Sequence, residues 1–411
     1  MRVVLRCCVF IAVFTVSVLA VLRSDAQSFS ELEGILLEHP SIQQLNFQSQ
    51  AIREEATAAY ALPDPKMSVG VSNVPISSPS FDRFLPSYKS VGVKQSFPSR
   101  AGRDARRTRI QAQSGELNAL AAARFAELRA ELIIQLVELS RIDEQRQLAY
   151  QQNSKYEELS EVVKAEIDAG RPAVFRLAEI QARRADTLRT VAELDGEAAL
   201  INASLIEKIG LVPNTTVPSI TTRQWNNDPQ RFHAVRVATR ASYVADQGIK
   251  EAKASWKTNW GVEVTYQQRS SGRGLPDADF PGDDWFSAGV TFSVPVWGKN
   301  KQAPNVRAAE ARKRSANART LAATRKSVAQ YESMQAHRAT AQSSLTALLE
   351  NISAVEAVIQ AQQTQYESGA GDYAPIIDGE LVVLTLQMQL ATERARALKA
   401  TVTSNALLVS P

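Results

Sequence analysis

One short segment of this chain recurs, and the stretch after each copy limits the fold more than any other feature. Gly92-Val93-Lys94-Gln95-Ser96-Phe97-Pro98 returns as Gly289-Val290-Thr291-Phe292-Ser293-Val294-Pro295. Each copy leads into a glycine and a basic residue, Gly102-Arg103 and Gly298-Lys299. A long Ala-, Arg- and Gln-rich run comes next in each case, reaching Gly170 in one half and Gly369 in the other. A repeat on this scale is one supersecondary plan used twice. Each half reads helix, strand, loop, strand, long helix, Gly turn, long helix. The first repeat is expected over 27–211, with a strand hairpin at 65–98 and a helix hairpin at 101–210. The second covers 229–411, with a strand hairpin at 260–296 and a helix hairpin at 300–408. The join, 212–228, is rich in Pro, Asn and Thr and reads as a linker.

The strands carry a period of two. Met67, Val69 and Val71 alternate with Ser68, Gly70 and Ser72, and Val91, Val93 and Phe97 with Ser90, Gly92, Lys94 and Ser96. Trp260, Val262, Val264 and Tyr266 alternate with Gly261, Glu263, Thr265 and Gln267. The fourth run, Phe286 to Val296, does the same with Ser287, Gly289, Thr291 and Ser293 between. One face is apolar and the other is small or polar. At about ten residues each, such strands are long enough to cross an outer membrane at a tilt, and the polar face suits a water-filled lumen. Trp256, Trp260, Trp285 and Trp297 fall near strand ends, where an aromatic girdle sits. The hairpin loops, Pro75 to Ser87 and Ser270 to Asp284, are long and polar, as on the extracellular side of a barrel.

The long stretches carry a helical period. Leu117, Leu120, Phe125, Leu128, Leu132, Leu136, Leu139 and Ile142 step by three to five, and Val328, Tyr331, Leu345, Leu348, Ile352, Val355 and Ile359 do so less regularly. No Pro interrupts Ala101 to Ile167. One helix of that length extends roughly 100 Å at 1.5 Å per residue. No globular core is so large, so the pattern requires coiled-coil or barrel packing. The low aromatic share, 7%, fits long helices better than a β-sandwich.

The first residues read as an export signal. Arg2 and Arg6 precede an apolar run from Cys7 to Leu22, and Ser24-Asp25-Ala26 offers small residues before a cut at Gln27. A signal peptide at 1–26 is therefore expected. Its removal takes away Arg2, Arg6, Arg23 and Asp25 and lowers the formal charge from +4 to +2. That is too weak a charge to imply a nucleic-acid partner. Arg100, Arg103, Arg106, Arg107 and Arg109 lie just after a membrane strand and read as a solvated helix start near the inner leaflet. Cys7 and Cys8 are adjacent, which excludes a disulfide framework and a cysteine zinc site, and they are not placed to accept a lipid anchor. The mature chain keeps only Met67, Met334 and Met388 and the scattered His39, His233 and His337, so no metal site and no cofactor is expected. HExxH, GxSxG, a phosphate loop and a Cys nucleophile are all missing from the sequence, so an enzyme is not expected. A soluble coiled-coil adaptor would share the helices but would not need alternating strands of membrane length.

Taken in order, these segments resemble the TolC-like outer-membrane efflux proteins, the outer-membrane component of tripartite export systems. The likeness runs from about Phe29 to Leu408. His39-Pro40 with the helix reaching Leu62-Pro63-Asp64-Pro65 is similar to the family's entry into its first strand. Gln95-Ser96-Phe97-Pro98 with Gly102-Arg103, and Ser293-Val294-Pro295-Val296-Trp297-Gly298-Lys299, are similar to its strand-to-helix junctions. Ala165-Glu166-Ile167-Asp168-Ala169-Gly170 and Tyr366-Glu367-Ser368-Gly369 are similar to its helix-turn tips.

The resemblance implies a mixed α and β membrane protein. Each chain would give four antiparallel strands to a twelve-stranded barrel closed by a homotrimer, continued by a periplasmic helical barrel. Four strands cannot close a barrel, and lipid does not tolerate an open edge. The resemblance further implies passive conduction, through a duct in the cell outer membrane whose periplasmic end opens when an adaptor and an inner-membrane pump dock. Family members close that end with an acid-lined constriction. Asp378 matches one gate aspartate, Pro375 stands at the position of the other, and the first repeat has Arg176 there. Asp372 is a substitute charge, and the gate is expected to be mixed in sign. The tips, Gly170, Arg171, Pro172, Gly369, Ala370 and Gly371, are where the resemblance places adaptor binding. Asp64-Pro65-Lys66-Met67-Ser68-Val69-Gly70-Val71 with Asn73-Val74-Pro75 is most similar to heavy-metal-efflux members, with drug, solvent or polypeptide export as alternatives.

Overall fold

The structure, a computed structural model, describes residues 28–81, 87–270, 272–273, 279–280 and 282–409. The expected export signal at 1–26 lies outside the described residues, as does part of each hairpin loop.

The chain enters through two short helices, α1 (Phe29–Leu37) and α2 (Pro40–Tyr60). Ser28 and Glu31 form a capping box on α1. His39 Nδ1 accepts from the Ser41 amide, and Pro40 occupies the first position of α2, where its missing N–H costs nothing. Strands β1 (Lys66–Ser72) and β2 (Tyr88–Phe97) come next, then α3 (Arg100–Asp168, 69 residues) and α4 (Val174–Ile209). After a 3₁₀ turn at Pro229–Arg231 come α5 (His233–Ala254) and β3 (Asn259–Gln268). A two-residue ladder, β4 (Gly272–Arg273) with β5 (Asp279–Phe280), precedes β6 (Trp285–Ser293), α6 (Gln302–Glu367, 66 residues) and α7 (Ala374–Leu407). At 1.5 Å per residue, α3 and α6 each run about 100 Å.

Four strands make one antiparallel sheet in the order β1-β2-β3-β6. The register places the alternating apolar residues on one face: Met67, Val93, Val264 and Ala288 form one row, and Val69, Val91, Tyr266 and Phe286 the next. Ser68, Gly92, Thr265 and Ser287 form a row on the other face. Among the described residues no helix covers the apolar face: Val69 is 81% exposed and Phe286 70%. Phe97 stacks on Trp260, ring centroids 4.1 Å apart, at the end of the sheet nearest the helices. The fourth strand ends at Ser293, short of the expected Val296. Pro295 has no N–H to give the ladder, and the Val296 amide turns back to the Val294 carbonyl at 2.9 Å. At Gly298 a Cβ would stand 2.5 Å from the Trp256 ring, so the turn into α6 admits no side chain there.

The helices form a layer with several small cores strung along it. Beside the sheet the neighbours run α2, α3, α5, α6; toward the far end they run α4, α3, α7, α6. Polar contacts mark several of these seams. The Ser49 hydroxyl meets that of Ser114 at 2.8 Å between α2 and α3. The Ser242 hydroxyl donates to Asn317 at 2.7 Å between α5 and α6, and Gln145 donates to the Met388 carbonyl at 2.9 Å between α3 and α7. Leu32, Leu36, Leu128, Leu132, Leu136 and Leu205 close one core where α1, α3 and α4 meet. Leu120, counted in the same sequence stripe, is 41% exposed. The stripe therefore divides between neighbours instead of forming one continuous seam.

The linker is pinned down. Asn405 donates to the Thr221 carbonyl at 2.7 Å and accepts from the Arg223 amide at 2.8 Å, and Arg338 holds the Thr222 hydroxyl at 2.9 Å. Phe232 bridges to Leu408 beside Tyr331 and Trp225. Among the described residues no helix is long and apolar enough to cross a membrane.

Candidate functional site

Two regions carry chemistry: the far tips of the helix hairpins and the polar face of the sheet. At the tips, α3 and α6 end the same way. Gly170 has φ 83° and Gly369 φ 75°, the left-handed region where Gly carries no Cβ penalty. The next amide in each turn reaches back over the last helical turn, Arg171 N–H to the Glu166 carbonyl and Ala370 N–H to the Gln365 carbonyl, both at 3.0 Å. This satisfies a carbonyl that the helix end leaves open. Pro172 then interrupts the chain before α4, and Asp372 precedes α7.

The expected charges meet in pairs across the two hairpins. Arg176 Nη2 of α4 lies 2.6 Å from Asp378 Oδ2 of α7, and Arg171 Nη1 lies 3.4 Å from Asp372 Oδ1. Each aspartate is thus matched by an arginine from the opposite half of the chain. Beneath the pairs sits a small apolar core: Leu159 and Val163 of α3, Ala173, Ile180 of α4, and Ala374, Ile377 and Leu381 of α7. A cleft of about 410 Å³ opens over it, lined by Tyr156, Arg176, Ile180, Arg183, Asp378 and Leu381 among others.

Four further side chains, Lys155, Glu158, Tyr373 and Glu380, belong to this network and have little signature in the sequence. Lys155 of α3 contacts Glu380 of α7 at 2.7 Å and Glu158 at 3.0 Å. The Tyr373 hydroxyl donates to Glu158 at 2.6 Å, and its ring lies 5.2 Å from that of Tyr366. The Tyr373 hydrogen bond, then Lys155, hold the Glu158 carboxyl below its ordinary range; the bond to Glu380 holds the Lys155 ammonium above its own. Only the Lys155–Glu158 spacing of three on a helix was open to sequence reasoning.

The arginine cluster at the start of α3 is more structured than a solvated helix end. Arg103 Nη1 donates to the Tyr60 carbonyl at 2.6 Å, Arg103 and Arg107 both lie about 5 Å from the Tyr60 ring, and Arg109 pairs with Glu251 of α5. Among the described residues no three His, Cys, Asp or Glu side chains converge as a metal site would require.

Solved structures share this fold over nearly the whole chain. The outer-membrane protein VceC from Vibrio cholerae matches with a TM-score of 0.72 and 15% identity, covering 92% of this chain and 95% of its own. CusC, described for transmembrane channel formation, matches at 0.75 and 14%, covering 93% and 92%. The outer-membrane channel OprN matches at 0.73 and 17%, covering 92% and 88%. The chain has the TolC-like outer-membrane channel fold. No protein-family model and no curated protein sequence matches it. The TolC-like fold explains the two ends together: an open four-stranded sheet at one, and two helix hairpins with their tips side by side at the other.

Proposed function

We propose that this protein is the outer-membrane exit duct of a tripartite efflux system, conducting passively and without catalysis. The observation that carries the reading is the sheet. It has two open edges, β1 and β6, and an apolar face left bare while its other face is polar. In water that face costs about 25 cal/mol for each Å² of apolar surface left wet; in lipid the open edges cannot be tolerated. Three copies joined β1 to β6 remove both costs in one twelve-stranded barrel. The helical layers then close into a periplasmic barrel, and stability of one chain becomes inseparable from assembly.

Conduction would be controlled at the tips. Arg176–Asp378 and Arg171–Asp372 hold the two hairpins of one chain together in the closed state, a gate of mixed sign. An adaptor that takes hold of Gly170, Arg171, Pro172, Gly369, Ala370 and Gly371 would draw the hairpins apart and admit cargo from an inner-membrane pump. The heavy-metal likeness of 64–75 concerns the strand entry; a wide aqueous duct needs no ligands, and choice between metal, drug and polypeptide cargo would rest with the pump.

Fractionation of cells expressing the chain tests the reading. Recovery in the outer membrane as a trimer, with conductance in planar bilayers, is expected. Recovery as a soluble periplasmic protein would favour the coiled-coil adaptor.

A further inference from the structure

Beside the sheet the two halves of the chain are clamped in the same way. The Ser49 hydroxyl of α2 donates to Asn118 of α3 at 2.7 Å, and the Ser242 hydroxyl of α5 donates to Asn317 of α6 at 2.7 Å. Ser242 stands 193 residues after Ser49, and Asn317 stands 199 residues after Asn118. With these two shifts, α5 and α6 repeat α2 and α3. In the layer α2, α3, α5, α6 the middle seam is α3 on α5, where Arg109 pairs with Glu251. The repeat of that seam is α6 on α2, and within one chain these helices stand at opposite edges of the layer. Each therefore has an open side, which the helical period of about 100° per residue locates. On α2, Phe47, Glu54 and Ala58 lie opposite Ser49; on α6, Ala308, Arg312 and Arg319 lie opposite Asn317. All six are exposed, Phe47 at 66%.

The repeat also sets the register of the open seam. Ala308 takes the place of Arg109, and Ala58 that of Glu251, so these two small side chains meet. Because α2 runs toward the sheet and α6 away from it, one turn further brings Arg312 to Glu54, and three turns bring Arg319 to Phe47. Among the described residues Glu54, Arg312 and Arg319 make no ion pair. Neighbouring charges are engaged or turned away. Arg53 follows Ser49 by one turn and so lies toward α3; Glu310 and Arg314 lie on the side of α6 that holds Asn317. Lys313 donates to the Ser242 carbonyl at 3.0 Å, Glu55 lines a cleft with Arg103 and Arg106, and Glu251 is held by Arg109. We infer that the open side of α6 seats α2 of a second copy of this chain, with Arg312 on Glu54 of the partner subunit and Arg319 against Phe47 of the partner subunit. This rests on the exit-duct reading and names the helix faces that close the layer between copies. A guanidinium is attracted to an aromatic face, and complementary charge fixes which partner is accepted and in what register. The same residues reject the wrong neighbour: α5, the repeat of α2, carries Gln247 at the place of Glu54 and Arg240 at the place of Phe47, and a basic α6 face is repelled by it.

Disulfide cross-linking of the full chain in membranes is the test. The chain's own cysteines, Cys7 and Cys8, fall in the expected export signal. Ala58→Cys with Ala308→Cys leaves both charges in place and should give covalent dimers and trimers on oxidation. Two such cysteines of one chain cannot meet, because α3 and α5 lie between them, with helix axes about 8–10 Å apart at each seam. Ala58→Cys with Ala322→Cys, which lies along the same side of α6 about 21 Å from Ala308 at 1.5 Å per residue, should not link. Arg312→Glu or Glu54→Arg alone should lower the detergent-stable trimer by about tenfold or more, and the two together should recover it. Trimers that form without the 58–308 link, equal linkage at 58–322, single charge reversals that assemble as wild type does, or an exchange that rescues nothing would overturn the seam while leaving the duct intact. A chain that forms no trimer would overturn the duct reading, and the seam with it.

Discussion

Asp378→Asn removes one charge from the tip and leaves its shape, so it isolates the ion pair from the packing beneath. Arg176 and Asp378 meet at 2.6 Å with side chains 31% and 52% exposed. Unit charges about 4 Å apart attract by about 1 kcal/mol in water and about 4 kcal/mol at the effective dielectric of a protein surface. Exposure and side-chain entropy reduce this to the range measured for solvent-facing pairs, about 0.2–1 kcal/mol. Three gates opening together would multiply it to about 0.6–3 kcal/mol, a roughly 3- to 150-fold rise in the open-to-closed ratio. The protein should remain folded, because Ile377 and Leu159 stay buried below the pair. Single-channel recording in planar bilayers reads the ratio directly. Arg176→Gln should produce the same rise, and the double variant should add little to either single change. Near 1 M salt, where the Debye length falls to about 3 Å, wild type and variant should converge. A variant that gates as wild type does at low salt, or a difference that survives high salt, would refute the ion-pair account of closure.

Other outcomes follow from the same geometry. Ile377→Ala empties a fully buried position at the tip and should cost about 2–4 kcal/mol locally, read as earlier proteolysis between α6 and α7. Gly369→Ala meets no atom within 4 Å but forces a Cβ onto φ 75°, so a loss of about 1 kcal/mol is expected from backbone strain alone, measured by thermal unfolding. Because the Glu158 carboxyl titrates below its ordinary range, its contribution is complete above the unfolded carboxylate pKa. It is lost as pH falls through the lower folded value, so tip protection in hydrogen exchange should hold at neutral pH and fall in the acid range. Tyr373→Phe should weaken that acid dependence. Val69→Arg, on the bare apolar face, should cost about 2–4 kcal/mol and block membrane assembly, whereas Ser68→Arg on the polar face should be accepted.

Sequence pattern carried the local structure far. Alternation located all four strands of the sheet, because each carries a mainly apolar face, interrupted only by Lys89 and Gln95 in β2 and Gln268 in β3. The absence of Pro from 101 to 167 was enough to expect one very long helix, and α3 runs from Arg100 to Asp168. Local pattern failed where a distant partner decides. β1 is 7 residues long instead of about ten, and the β4–β5 ladder inside the second loop has no apolar alternation to announce it. The pairing of Arg171 with Asp372 and of Arg176 with Asp378 joins residues about two hundred apart, which no window along the chain can see. That Lys66 and Lys94 stand opposite each other, with Glu263 beside Lys94, needed the strand register, since each is an ordinary strand residue when read singly. Arg103 and Arg107 looked free in sequence because Tyr60 and its carbonyl come from the preceding helix.

The central claim is that the bare face of the sheet meets lipid while its other face meets water. A fluorophore placed one position at a time along β1 and β6, in the full chain reconstituted with brominated lipid, tests it most directly. Quenching should alternate, strong at Met67, Val69, Val71, Val290 and Phe292 and weak at Ser68, Gly70, Ser287 and Thr291. Uniform quenching, or none at either set, would contradict the account.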